Sequence, residues 1–436
     1  NQLTFLKYFK IKINQELNHG TLIKKRVVYN KLLKFINSNG KDDIFFEEIT
    51  NSFVADLFKH FKTVKNPKKL SHNSAVHYLM VIKSVLNTAQ KEGVYQFKRN
   101  PFSTIKLKKQ KRKSVYLSIE EVDKITNADI EDCSFDEVRL FFLFQIFSHG
   151  MRVSDLLKLK FKNIVNERLN YTMQKNSRQI DMPLNTYLCY LISQLYEELD
   201  NYEEIKKDNT VRVNYEGIDD EVEEGSKYLN LTELDSAINS RMGLNLTKNP
   251  NGQKFLKDIF EEILQDKDKM IEIHGYKVDE NDKKLIYLIN QKQKLLARIN
   301  QDFQDFFFQN ISKFKKNKSE KFIFEFIDKD LFYADETTDL QRYKHVKHLT
   351  IVINRKLKKL QKKLNIETSL STHVARHTFS NLLLDTGEAS VFEISKMLGH
   401  SSLIITEIYL KENFSNKRLD TLSEGLQNRY GLKSLT

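Results

Sequence analysis

Four side chains near the C-terminal end carry most of the chemistry this sequence offers. His373-Val374-Ala375-Arg376-His377 is followed by Leu398-Gly399-His400-Ser401-Ser402, and Tyr409 stands nine positions after His400. The set gathers a guanidinium, imidazoles and a phenol, without a carboxylate pair, a thiol nucleophile or a clear metal cage. Such an inventory suits attack on a phosphodiester. Arginine clamps phosphate oxygens in bidentate fashion, imidazoles move protons near neutral pH, and a tyrosine oxygen serves as a covalent nucleophile.

Two further pieces lie upstream. Gly150-Met151-Arg152-Val153-Ser154-Asp155 follows the apolar run Leu140 to Phe147. Leu169 to Met173 and Gln179 to Pro183 flank the polar tetrad Lys175 to Arg178 and read as a β-hairpin with Lys175 where a strand meets its turn. Together these pieces resemble the tyrosine recombinase, or phage integrase, family. The resemblance runs from Leu117 to about Tyr409, interrupted by a long insertion, and extends more weakly over the first hundred residues.

The resemblance implies a catalytic set of Arg152, Lys175, His373, Arg376, His400 and Tyr409. Arg152 and Arg376 would neutralise the phosphate, and Lys175 would protonate the leaving 5′ oxygen. His373 and His400 would hydrogen-bond the scissile phosphate and handle the tyrosine proton, while Tyr409 attacks to leave a 3′-phosphotyrosyl link. Asp155, where the family often has Glu, would orient Arg152, and His377 would support its neighbours. His149 stands where the family usually has Thr. No cofactor or metal is implied, and the sequence has no Walker-type glycine loop and no acidic triad for Mg²⁺.

The function implied is that of a site-specific recombinase or integrase of a bacterial mobile element. It would act on double-stranded DNA as a homo-tetramer on paired sites, with a host DNA-bending factor as a further partner, in the cytoplasm and at the nucleoid. A type IB topoisomerase-like relaxing enzyme shares the chemistry. A catalytically silent DNA-binding regulator is the rival from another class, and the filled catalytic positions count against it.

The elements that must position these residues are mainly helical, with a small antiparallel β-sheet. At 436 residues two or three domains are expected. A net charge of +13 and a pI of about 9.2 favour a polyanionic partner. Two cysteines, Cys133 and Cys189, fit a reducing compartment and no disulfide framework. Phe141 to Phe147 is far shorter than the roughly 20 apolar residues of a membrane span. No signal peptide is visible, and a chain that begins with Asn1 rather than Met reads as a piece of a longer protein.

Residues 1–105 read as a helical core-DNA-binding domain. Apolar residues recur at helical spacing from Ile23 to Ile36 and from Val76 to Ala89, with Ser71 as N-cap and Gly93 as terminator. Residues 106–114 form a basic linker whose Lys106, Lys108, Lys109, Lys111, Arg112 and Lys113 are expected along the DNA backbone. The catalytic domain, 115–436, opens with a capping box at Ser118 and Glu121. Within it, about 200–315 reads as a helical-hairpin insertion. Its acidic entry and its two amphipathic patterns, Phe255–Leu264 and Leu285–Phe307, point to protein contacts rather than DNA, with a self-contained helical excursion as the alternative. A C-terminal tail, 410–436, carries an apolar stripe expected to dock on a neighbouring protomer.

Overall fold

The computed structural model describes residues 3–64, 70–110, 114–214, 226–246, 280–385, 389–400 and 406. The chain divides into two compact units, residues 1–114 with 336–345, and residues 115–335 with 346–436. The fold is mainly helical with small antiparallel sheets, as the sequence implies.

The first unit is built on α1 (Phe5–Asn14), α2 (His19–Ser38), α3 (Asn51–Thr63) and α4 (His72–Lys91). Local chemistry sets the helix starts. The side chains of Asn18, Thr50 and Ser71 each accept from a backbone N–H in the first turn of the helix that follows. Gly93, at φ +71°, supplies the left-handed residue just past the end of α4. Phe5, Phe9, Leu32, Ile36, Leu57 and Leu79 fill the core, and fully burying a side chain of this kind stabilises by about 1.5–3 kcal/mol. The basic segment begins on this core: Ile105 and Leu107 pack against it. Asn73 also pairs with the backbone of Gln110 in both directions, at 2.9 and 2.7 Å. Lys106, Lys108 and Lys109 thus leave from an anchored strap, whereas Lys111, Arg112 and Lys113 lie outside the described residues.

The second unit opens with α5 (Ile119–Thr126), where Ser118 and Glu121 form the capping box. Glu121 also accepts from the backbone N–H and the hydroxyl of Thr368, at 2.9 and 2.8 Å, tying this start to a distant loop. The central element is α6 (Cys133–Phe147). Its side chains from Leu140 to Ile146 are buried on every face, which explains an apolar run without helical periodicity. Among the described residues no helix is long and apolar enough to cross a membrane.

After α7 (Val153–Leu156), a three-stranded antiparallel sheet is formed by β1 (Ile164–Val165), β2 (Arg168–Thr172) and β3 (Gln179–Pro183), in that order. The hairpin read from the sequence is β2–β3, with Leu169 opposite Met182 and Tyr171 opposite Ile180. Next come α8 (Thr186–Ser193), α9 (Tyr202–Asp208), a second hairpin of β4 (Val211–Asn214) and β5 (Ser226–Leu229), and α10 (Leu231–Leu246). Further described helices are α11 (Glu280–Lys318), α12 (Lys329–Tyr333), α13 (Asp339–Lys363), whose residues up to His345 belong to the first unit, α14 (Thr372–Asp385) and α15 (Val391–Met397).

The segment 200–315 differs from a helical excursion in two respects. It contains the β4–β5 hairpin, and α11 serves two cores. Leu288, Leu295 and Ile299 pack with Val213, Leu229 and Leu234 in a small core of their own. Further along the same helix, Phe303, Phe307, Ile311 and Phe314 enter the main core of the unit. With 39 residues, α11 is roughly 58 Å long at 1.5 Å per residue, enough to reach both. The pattern Phe255–Leu264 lies outside the described residues.

Because Phe307 is fully buried in the main core, Phe307→Ala should lower stability by about 3–5 kcal/mol, read as a shift in the denaturant midpoint followed by circular dichroism. A loss below about 1 kcal/mol would mean that α11 only lies on the surface of that core.

Candidate active site

Five of the six residues expected to do chemistry converge. Arg152, Lys175, His373, Arg376 and His400 line one cleft of about 460 Å³, together with Gln145, Asn176, Thr372 and Gly399. The sixth, Tyr409, lies outside the described residues, as do Ser401, Ser402 and the tail 410–436.

Arg376 sits at the centre. On α14, His373 and Arg376 are one turn apart and so share a face. The Arg376 side chain is buried, and its guanidinium donates to Gly150 O at 2.7 Å and to Leu398 O. It therefore joins the loop before α7 to the loop after α15. Gly150, at φ +59°, permits the approach: a Cβ there would stand 3.2 Å from both Cα and Cγ of Arg376. Gly399, at φ +62°, plays the matching part on the other side, where a Cβ would collide with the sulfur of Met173.

Arg152 occupies the N-cap position of α7 with an extended backbone, and its Nη1 donates to Met173 Sδ at 3.5 Å. Asp155 was expected to orient it. The carboxylate instead accepts from Gln174 N–H at 3.0 Å, fixing α7 to the end of the hairpin, and acts on Arg152 through charge. Burial pushes the Asp155 carboxyl up, opposed by that hydrogen bond and by the nearby Arg152, Lys158 and Arg376. Its second oxygen is buried without a hydrogen-bond partner among the described residues.

Lys175 is exposed on the β2–β3 turn. The turn itself is held: Asn176 donates to Gly399 O at 2.9 Å and Arg178 to His400 O at 3.4 Å. These two contacts bind the hairpin to the segment that carries His400. Sequence reasoning missed Asn176 as a holding residue, although its place beside Lys175 was the available signal. Thr372, which starts α14 and accepts no such attention in the sequence, is fixed by its N–H donating to Asn354 Oδ1 at 2.9 Å.

The histidines are held neutral. Burial, then Arg376, Arg152 and Lys175, push His400 down to about 3. Burial, then His373 and Arg376, push His377 down to about 4, and its ring meets that of His373 at 4.5 Å. His373, exposed at the cleft, is lowered by partial desolvation of its ring and by Arg376 and Lys175. His149, half-buried and lowered by desolvation, stacks on Phe379 at 5.6 Å. The side chain that replaces the family's usual Thr is thus used for packing. Three cations near one another and neutral imidazoles among them form a site that gains most from binding an anion.

Residues 115–231 and 282–416, more than half of the chain, match the Phage integrase family, and residues 3–113 match the Phage integrase SAM-like domain. The chain belongs to the phage integrase family. The match to the larger family is interrupted only between 231 and 282, so nearly all of α11 falls within the integrase pattern. Among relatives, the tyrosine recombinase XerC of Leptospira interrogans is 31% identical over 113 residues, 22% of this chain and 34% of the relative. XerC of Rickettsia bellii is 35% identical over 100 residues, 23% and 32% of the two chains. The chain thus spans about a third of the length of the curated relatives it matches. Among solved structures, the Tn1549 transposon integrase in complex with transposon right end DNA aligns over 99% of this chain and 100% of that one, at 12% identity and a TM-score of 0.45. A lambda integrase tetramer bound to a Holliday junction aligns over 41% and 49%, at 22% identity and a TM-score of 0.33. Family membership rests on the sequence match.

Two outcomes follow for this site. Gly150→Ala should destabilise by about 1–3 kcal/mol, since a left-handed backbone and a crowded Cβ are both penalised, as measured by denaturant unfolding. Unfolded histidine ionises near pH 6.5, whereas folded His400 and His377 ionise near 3 and 4. Between pH 6.5 and about 4 the unfolded chain therefore binds more protons, and stability should fall as the pH drops through that window. His377→Gln should make this slope shallower; an unchanged slope would show that His377 titrates normally.

Proposed function

We propose that this chain is a site-specific DNA recombinase or integrase that cuts and rejoins DNA through a 3′-phosphotyrosyl intermediate. The observation that carries the proposal is the meeting of Arg152, Lys175, His373, Arg376 and His400 in one cleft, drawn from segments as far apart as α7 and the loop after α15.

The roles follow from the chemistry of each group. Arg152 and Arg376 neutralise the nonbridging oxygens, whose negative charge grows in the transition state; preorganised cations commonly supply several kcal/mol there. The phenolic oxygen of Tyr409 attacks phosphorus, and its proton passes to an imidazole of the cleft. The bond from phosphorus to the 5′ oxygen breaks as Lys175 delivers a proton to that oxygen. The product is a phosphotyrosine and a 5′ hydroxyl, and attack by a 5′ hydroxyl reverses the step. The diester bond is exchanged rather than lost, so rejoining requires no nucleotide.

Double-stranded DNA is the substrate this reading demands, and the net charge of +13 supports it. The wider assignment extends to a tetramer on paired sites of a bacterial mobile element, with a host DNA-bending factor. In it the 106–114 strap lies along phosphates and the tail 410–436 docks between protomers. Family membership favours this reading over a monomeric relaxing enzyme, and the assembled cleft favours it over a silent regulator.

Tyr409→Phe should abolish the covalent protein–DNA adduct while leaving binding nearly intact; an adduct that persists would remove Tyr409 from its role. Lys175→Ala should cleave an ordinary duplex far more slowly than one with a 5′-phosphorothiolate, because a sulfur leaving group needs little protonation. Arg152→Ala should gain no such rescue. Equal rescue of the two variants would show that the acid is misassigned.

A further inference from the structure

The reading above gives His400 work at the phosphate but leaves open what sets its ring. The main chain of His400 is held on both sides, its N–H donating to Ser395 O at 3.0 Å and its carbonyl accepting from Arg178. Ring rotation needs a separate restraint. The structure supplies one: His400 Nδ1 lies 2.8 Å from the hydroxyl of Thr406, and both side chains are buried, that of Thr406 completely.

A neutral imidazole carries its proton on one nitrogen and a lone pair on the other, and the partner of one nitrogen decides the character of the other. If Nδ1 donated to Thr406, Nε2 would bring a lone pair towards a phosphate oxygen, two acceptors facing each other. If the hydroxyl donates to Nδ1, Nε2 carries the proton and meets the anion as a donor. Arg152, Lys175 and Arg376 around the ring show which sign of ligand the cleft is built for.

We propose that Thr406 is a positioning residue for His400: its hydroxyl donates to Nδ1, fixing the ring and placing the proton on Nε2 for donation to a nonbridging oxygen of the scissile phosphate. In the sequence Thr406 precedes Tyr409 by three residues. The inference rests on the phosphodiester reading for its purpose, but not for its test.

The test uses the full chain with ¹⁵N-labelled histidine, together with Thr406→Val, which removes the hydroxyl at nearly constant shape, and Thr406→Ser, which keeps it. Long-range ¹H–¹⁵N correlation reports which ring nitrogen of His400 is protonated. The wild type and Thr406→Ser should show the proton on Nε2, and Thr406→Val should lose that preference. In parallel, cleavage is followed on a suicide duplex carrying a sequence that the protein itself selects from random DNA. Thr406→Val should slow cleavage about 10-fold or more at unchanged DNA affinity, with Thr406→Ser within about threefold of wild type. A proton on Nδ1 in the wild type would overturn the inference, as would a Thr406→Val variant that cleaves normally. Equal impairment of Val and Ser would do the same, since it would mean packing rather than the hydroxyl. If Thr406→Val does not fold, the wild-type tautomer and the Ser variant decide. A wild type that forms no adduct at all would instead strike the recombinase reading, leaving the tautomer measurement to judge Thr406.

Discussion

The guanidinium of Arg376 is the contact on which the candidate active site depends. Buried, and donating to the carbonyls of Gly150 and Leu398, it holds together two loops that are far apart in the chain. A buried charge is costly unless it is hydrogen-bonded, and breaking such an arrangement leaves polar groups stranded in a dry interior. The site therefore forms as a unit. When Arg376 is seated, the Gly150 loop presents Arg152 and the Gly399 loop presents His400. The two glycines follow from the same constraint, since both backbone turns are left-handed and a Cβ at either would crowd a neighbour, Arg376 at Gly150 and the Met173 side chain at Gly399.

Around that centre the electrostatics lean one way. Asp155 is the acidic side chain whose titration is coupled to both arginines, and it is engaged with the backbone of Gln174. Arg152, Lys175 and Arg376 all act to keep protons off His400. A phosphate entering the cleft would meet cations that are already in position and imidazoles still able to move protons, at little cost of reorganisation. The hairpin contributes in the same sense, because Asn176 and Arg178 fasten the Lys175 turn to the His400 segment by main-chain carbonyls. Fastening to carbonyls leaves the identity of the neighbouring side chains out of the restraint.

The long helix α11 gives the second unit its other organising feature. Its earlier turns close a small core with β4, β5 and α10, and its later turns, through Phe303, Phe307, Ile311 and Phe314, belong to the main core. Tyr202 and Ile205 of α9 pack against both cores. α10, which lies almost wholly outside the integrase pattern, is thus attached to the second unit through an element that the unit itself needs.

Sequence alone determined the identities and local placement of the chemistry. The spacing of His373, Arg376 and His377 puts them on one side of a helix, Ser118 with Glu121 and Ser71 mark helix starts, and the flanking strands put Lys175 on a turn. Each of these depends on residues a few positions apart, where backbone periodicity and capping act directly. The part proposed for Tyr409 rests on its sequence position alone. Tertiary structure decided everything that joins distant segments. Asp155 bonds to Gln174 rather than to Arg152, Asn176 and Arg178 hold the His400 segment, and Arg376 spans two loops. Nothing in the period of an amphipathic helix says which core its apolar face will meet, so the divided role of α11 was hidden, and so was the short β4–β5 hairpin. Local sequence sets which groups are available and how each element begins and ends. The partner across a cleft is chosen only when the chain closes on itself, because that choice is made by burial and by backbone groups that every residue type carries alike.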